Sequence, residues 1–532
     1  MSHSRCHVPV LIIGSGVAGC TVALTLADAG HEVLLISAGE NLGQGNSELA
    51  QGGIIYRAAT DDTDAEAHAL EHDIMVAGHR YNSRSAVRQL CRQGPVCVDE
   101  MLLERARVQF DRNPDGSFSL TREGGHSAPR ILHKADYSGK AIMDGLTAQV
   151  AAHPRITRLF RRAAIDLLTS RHHDRITQYR YSITNRCLGA YVLNEESGDP
   201  ETILADWTVL ATGGVGQVFL HSTNAPDCVG AGISMAARAG VALANLEFMQ
   251  FHPTALYEGR SNRRPLITEA MRGEGARLLD EKGQPFMLRH DKRGDLAPRD
   301  IVAQAMMEEM LHSGSPCLFL DVSGVKQDLP TRFPTVFNQC LEVGIDIRKE
   351  PIPVVPAAHY FCGGVLSDGC GRTSMPNLYA IGECACTGLH GANRLASTSL
   401  LEGVVWGVAC GRDLAKQVGR KHGVIPKGLA DAIPDWQHEG DEQRDDPALV
   451  AQDWFNIRST MWNYVGISRS EPRLRRAFED MRDLVRHIHD FYKTTRISRR
   501  LVDLFHGSQT AYVITQAAMR NPHSLGCHHR ID

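Results

Sequence analysis

Six stretches of this chain collect the side chains that bind anions and move protons. From Asn377 to Gly407 it reads NLYAIGECACTGLHGANRLASTSLLEGVVWG, setting Glu383, His390, Asn393 and Arg394 ahead of Ser397-Thr398-Ser399. Gln250 to Thr254 places His252 before a proline, in extended backbone. Leu266 to Gly275 carries Thr268, Glu269 and Arg272, Ala297 to Asp300 carries Arg299, and Pro356 to Tyr360 carries His359. Thr121 to Gly139 mixes Arg122, Glu123, His126, Arg130, His133 and Asp136 with the adjacent Gly124 and Gly125. Guanidinium groups, imidazoles and hydroxyls are the donors that hold carboxylates, and an arginine does so through two parallel bonds. A carboxylate, a cationic loop and a helix start within about thirty residues suit a large polar cofactor lying beside an anionic substrate. Taken singly, a histidine or arginine is more often structural. Here four such positions sit beside Pro or Gly in one part of the chain, which shifts the balance towards a site.

The elements around these residues are those of a nucleotide-binding protein. Residues 8–37 form a buried strand, the turn Gly14-Ser15-Gly16-Val17-Ala18-Gly19, a helix ended by Gly30, and a second strand. That is GxGxxG in the strand–turn–helix–strand setting that gives it meaning, with glycines letting the backbone approach a pyrophosphate at a helix N-terminus. The second strand ends in Ser37 rather than Asp or Glu, so these residues leave FAD and NAD both open. Leu378–Ile381 reads as a further buried strand, and Ser397 reads as the N-cap of the apolar helix after it. Residues 204–216 read as a strand ending in Ala-Thr-Gly-Gly, and Ile233–Ala239 as a small-residue helix. The proline- and acid-rich stretch 423–447 reads as a linker. Beyond it Leu474, Phe478, Met481, Val485, Ile488 and Tyr492 make one apolar helical stripe opened by Ser470 and Pro472, which reads as a packing bundle without a catalytic role.

Composition narrows the function classes. A net charge of −4 over 532 residues gives no electrostatic case for nucleic acid or an anionic membrane surface. No apolar run is long enough to cross a bilayer, and the run Val8–Ile13 enters the glycine motif directly instead of a cleavage site. The 14 cysteines lack paired CxxC spacings, which favours packing roles in a reduced, cytoplasmic setting. No metal site is expected at His523, Cys527, His528 and His529, because the histidine pair is adjacent and no second cluster supports it.

In chain order the motifs GSGVAG, NSELAQGG, TREGGHS, EFMQFHPTAL, ITEAMRGEGA, LAPRDIV, PAAHYFCGG and GLHGANRLASTSLLEG resemble the succinate dehydrogenase/fumarate reductase flavoprotein family, from Val8 to about Pro522. The resemblance implies an α/β fold: a Rossmann-type FAD-binding domain in two pieces (1–245 and 361–425), an inserted α+β capping domain (246–360) and a C-terminal helical bundle (426–532). It decides for FAD, placed on Gly14, Ser15, Gly16, Val17, Ala18 and Gly19, with Ser37, Ser47, Ala50, Gln51, Gly52 and Gly53 nearby. Glu383 would meet the ribitol, and Ser399 with Leu400 the flavin ring. NSELAQGG has no histidine to carry a covalent link, so the FAD is expected to be noncovalent. Substrate carboxylates would be held by His252, Thr268, His359 and Arg394, and Arg299 would transfer the proton, with Glu269 and Arg272 as its relay. Glu123 is the position expected to recognise a substrate ammonium.

The activity so implied is oxidation of L-aspartate to iminoaspartate, with reoxidation by oxygen or fumarate. By resemblance this is the entry to de novo NAD synthesis, with functional coupling to quinolinate synthase. Two departures stand out. Val229-Gly230-Ala231-Gly232 has Ala231 where the family has an aspartate, so weaker FAD binding is expected, and the chain ends at Asp532 before the family's tail. The alternatives are the flavoprotein subunit of a succinate dehydrogenase or fumarate reductase, and a flavin-binding scaffold without activity.

Overall fold

The computed structural model describes residues 5–57, 63–171, 184–258, 263–420, 424–437 and 445–532. Its main sheet has seven strands. Ile156–Leu159, Val33–Ile36, Arg5–Ile13 and Asp199–Leu210 run parallel in that order. The far side of Asp199–Leu210 is shared. Its first half pairs antiparallel with Cys187–Asn194, which carries Arg162–Thr169, and its last three residues pair in parallel with Leu378–Ala380. Val10 to Ile13 and Val33 to Ile36 are buried throughout, because helices and other elements cover both faces of a parallel sheet.

Register then sets the position of the site. Ile13 stands opposite both Ile36 and Leu210, and Leu210 opposite Ala380. These four strands therefore stop at one level. Gly14, Ser37, Ala211 and Ile381 follow along a single edge, each tied by its N–H to the neighbouring strand at 2.9–3.0 Å. The carboxyl ends of parallel strands are where an open α/β sheet binds its ligand.

Two helices start at that edge and lie against each other. Gly403, Gly407 and Gly411 in Thr398–Ala415 face Val17, Thr21 and Thr25 in Val17–Asp28, both sets recurring every four residues. A side chain at Gly407 would begin 2.7 Å from Thr21 Cβ, so the glycines are what allow this approach. Ser397 is not the side-chain cap read from the sequence. It takes a left-handed φ of 58° and makes no cap bond, because its hydroxyl is used by Glu123.

A second, antiparallel sheet has the order Met249–Leu256, Ile352–Phe361, Leu318–Asp321, Arg277–Leu279, and the helix Arg299–Ser313 packs on its first strand. Three helices, Pro447–Val465, Glu471–Thr494 and Arg499–Arg520, pack together near the C-terminus. The expected linker is partly docked rather than free. Lys427–Ala432 is helical, Leu429 and Ile433 are buried, and Arg5 donates to Ile433 O and Ala430 O. Residues 423 and 438–444 of that stretch lie outside the described residues. Among the described residues, no helix is long and apolar enough to cross a membrane.

Gly407→Leu should separate the two helices, cost about 1–3 kcal/mol by overpacking and reduce bound flavin. Urea unfolding midpoints and the flavin-to-protein absorbance ratio measure both effects.

Candidate active site

One cavity of about 500 Å³ runs from the strand ends to the second sheet. Gly14 to Ala18, Ser37, Ser47 and Ala50 to Gly53 line it at one end, where Ser15 Oγ donates to Ser37 Oγ at 3.0 Å and Val17 N–H to Ser47 Oγ at 3.1 Å. Further along lie Glu383, Ser399 and Leu400. Glu383 accepts from Phe361 N–H at 3.0 Å and from Asn46 Nδ2 at 3.4 Å. Burial outweighs these bonds and pushes its carboxyl up to about 7. Gln51 Oε1 is buried without a partner among the described residues. Helix-start amides, hydroxyls and an orphaned acceptor in one extended cavity fit a dinucleotide such as FAD.

The other end gathers charge from four separate segments. Arg299 opens its helix and donates through Nε to Glu269 Oε2 at 2.5 Å. Glu269 starts the short helix capped by Thr268, whose hydroxyl accepts from Ala270 N–H. Burial pushes the Glu269 carboxyl up, but Arg299, Arg272 and Arg394 together outweigh it and leave it lowered. Arg394 lies 4.6 Å above the Tyr360 ring and reaches Ser399 Oγ only at 3.4 Å. Arg299 Nη1 and Arg394 Nε are buried donors without partners among the described residues. A buried guanidinium with unused N–H groups is costly unless an anion takes them.

His252 and His359 stand edge to face, 5.1 Å between ring centres. Burial first, then Arg299 and Arg272 at His252 and the neighbouring His252 and Arg394 at His359, holds both well below the usual imidazole range. Each is therefore neutral at neutral pH and offers one N–H. Thr223, which the sequence did not single out, holds His359 Nδ1 at 2.8 Å. Glu123 accepts from Ser397 Oγ at 2.7 Å. Burial raises its carboxyl despite Arg299 nearby.

Two expected contact residues stay out of the cavity lining. Arg272 sits behind Glu269, 4.0 Å from it, and donates to Asp295 O at 2.5 Å. Gly19 packs helix on turn, since a Cβ there would lie 1.9 Å from Gly14 O. Of the charge-rich loop, Arg130 is fully buried between Glu66 and Asp73 at 2.6 Å each, so it anchors the loop from behind. The buried trio Tyr360, His390 and Glu402 was also missed as a unit. Tyr360 Oη and His390 Nε2 both bond Glu402, at 2.8 and 2.9 Å, beneath Arg394. The last helix adds Arg499, Asp503 and His506 to the wall, so the C-terminal bundle does more than pack. Among the described residues no group of three His, Cys, Asp or Glu is arranged to hold a metal; His528 instead meets buried Arg469.

Residues 9–400 match the family described as FAD binding domain. L-aspartate oxidase of Pseudomonas aeruginosa is 44% identical, covering 98% of this chain and 95% of its own. That of Yersinia pestis is 41% identical, covering 100% and 97%. Among solved structures, a mutant of the E. coli quinol fumarate reductase FrdA chain superposes with a TM-score of 0.87 at 27% identity, covering 99% and 92%. Mycobacterium smegmatis Sdh1 in complex with UQ1 gives 0.81 at 27%, covering 99% and 89%.

Gly124 sets the approach of the acidic loop to the cation cluster. A Cβ there would stand 2.2 Å from Glu269 Oε1. Gly124→Ala should therefore push Glu269 off Arg299 and lower turnover at least tenfold, roughly the worth of one charge-assisted bond, with little change in melting temperature. Steady-state kinetics beside a thermal melt checks this.

Proposed function

Because this chain belongs to the FAD-binding family that includes the L-aspartate oxidases, we propose that its cavity oxidises L-aspartate to iminoaspartate on a noncovalent FAD, the first step of NAD biosynthesis. A bound FAD would supply the acceptor for the hydride leaving C2 and, through its own reoxidation, the route for the electrons to oxygen, giving hydrogen peroxide, or to fumarate, giving succinate. The observation that carries this reading is the set of buried, unpaired guanidinium donors on Arg299 and Arg394 beside two neutral imidazoles. A four-carbon dicarboxylate needs donors at both ends, and few other small ligands would use them all.

The chain's residues then divide the work. Arg394, His252, His359 and Thr268 hold the carboxylates, which fixes C2 against the flavin, so that orientation supplies much of the rate. A guanidinium is in general a poor base, with a pKa above about 12, so Arg299 moves a proton only in concert with Glu269, 2.5 Å away, and Arg272 behind it. Glu383, held near neutral pKa, can donate to or accept from a ribitol hydroxyl. Residues 1–245 and 361–425 act as the FAD-binding domain, 246–360 as the cap and 426–532 as the helical domain. The setting is cytoplasmic, and the short-lived imine product fits a hand-over to quinolinate synthase.

Anaerobic addition of L-aspartate should bleach the flavin absorbance, and fumarate or air should restore it. A spectrum that bleaches with succinate but not with aspartate would favour the dehydrogenase-subunit reading.

Selectivity for aspartate over succinate rests on Glu123. Both substrates carry the same two carboxylates, and only the ammonium distinguishes them. Glu123 is part-buried, burial raises its carboxyl pKa, and among the described residues it receives one hydroxyl bond, so a cationic partner would stabilise it while an uncharged CH2 would not. Glu123→Gln should cut kcat/KM for aspartate by about 1.5–3 kcal/mol and leave fumarate reduction largely intact. Equal losses in the two assays would assign Glu123 to loop structure.

A further inference from the structure

The last helix, Arg499–Arg520, presents Arg499, Asp503, His506 and Thr510 at steps of four, three and four, which places them on one face. That face is turned on the FAD-binding region. Arg499 Nη1 donates to Ala38 O at 2.9 Å, His506 Nε2 to Ala164 O at 3.0 Å, and Thr510 Oγ1 to Gly230 O at 3.2 Å.

Amid these anchors Asp503 is poorly served. Its Oδ2 accepts from Arg499 Nε at 2.8 Å, and its Oδ1 has no partner among the described residues. The side chain is 24% accessible, and because it lines the cavity that open part faces the cavity. Asp227 borders the same space, and Ala231 nearby offers only a methyl group. Burial, only partly offset by Arg499, pushes the Asp503 carboxyl up to about 6 and raises that of Asp227 as well. The wall here thus carries two carboxylates with acceptor capacity to spare, beside donors on Arg499 and His506 that are already engaged by Asp503, Ala38 O and Ala164 O.

Position identifies what would supply the donors. Gly14 to Ala18 is the pyrophosphate turn, and Ser37 ends the strand whose tip meets the adenosine ribose in this fold. Arg499 bonds both Asp503 and the next residue, Ala38, so Asp503 stands at the Ser37 end of the cavity. Adenosine carries hydroxyl and amino donors and no charge of its own. We propose that Asp503 accepts a hydrogen bond from the adenosine half of FAD, making the C-terminal helix part of the nucleotide site, so that cofactor binding fastens that helix to the FAD-binding region. This rests on the FAD reading above.

The test uses the full chain. Flavin fluorescence gives the FAD dissociation constant, and ADP serves as a competitor carrying only the nucleotide half. Asp503→Ala should weaken FAD roughly tenfold or more, the worth of one hydrogen bond to a charged group, and weaken ADP by the same factor. Unchanged FAD affinity overturns the proposal, as does a loss confined to FAD with ADP inhibition intact. Should Asp503→Ala fail to melt cooperatively, hydrogen exchange on the unaltered protein decides: FAD should slow exchange across 499–510, and no slowing overturns the proposal. A chain that binds no FAD in any of these measurements overturns the flavin reading itself.

Discussion

The structure depends on an uncompensated charge. Arg272, Arg299 and Arg394 are all largely withdrawn from water, and among the described residues Glu269 is the one carboxylate in ion-pair contact with them. Removing an ion from water costs several kcal/mol even after relaxation, and one anion cannot repay three cations. Burial lowers the guanidinium pKa of Arg272 and of Arg394, the direction expected when desolvation outweighs pairing. Such an arrangement persists because the surroundings over-determine it. Arg394 rests on Tyr360, itself held by Glu402 and His390, while Arg272 is tied to Asp295 O. On the function proposed above, an incoming dicarboxylate would supply the missing negative charge.

Holding that cluster requires segments far apart in sequence to meet without slack. Glu269 and Arg299 come from two helices of the second sheet's layer, Arg394 from the loop before the helix Thr398–Ala415, and Glu123 from a loop anchored by Arg130. Gly124 lets the acidic loop touch Glu269, and the glycine row of Thr398–Ala415 lets that helix lie on Val17–Asp28. One helix thereby joins both ends of the cavity: its first turn bears Ser399 and Leu400, and its body is seated on the helix that follows the phosphate turn.

Much of the fold was legible because it obeys local rules. The glycine turn between two apolar strands, the strand at Leu378 and the stripe of Glu471–Thr494 follow from periodicity and turn chemistry. The site residues were named through whole motifs, since nothing in the spacing of His252, Arg299 and His359 says that they converge. Ser397 shows how a local rule fails. Serine before an apolar run is an N-cap signal, yet here the hydroxyl serves Glu123, a tertiary partner 274 residues away in sequence. The polar face of Arg499–Arg520 was missed for a related reason. Charged residues at helical spacing ordinarily mark a solvated side, and only the fold reveals that this one faces an interior.

The cavity is graded in polarity along its length, and that grading orients what enters. At the Ser37 end stands Asp503 with Asp227 near it, acceptors that suit neutral hydroxyl or amino donors. At Gly14 to Ala18 the start of Val17–Asp28 offers backbone N–H groups and the positive end of a helix dipole, which suits a pyrophosphate. At the far end stand the guanidinium groups, which suit carboxylates. A dinucleotide laid in reverse would keep its phosphates near the middle but would put adenosine among buried cations and leave the acids facing the flavin ring. Each mismatch leaves a buried polar group unpaired, at about 1–3 kcal/mol apiece and more where charged. Orientation is therefore imposed by the sum of unmet partners along the walls, and the same sum leaves the substrate end accessible only to an anion.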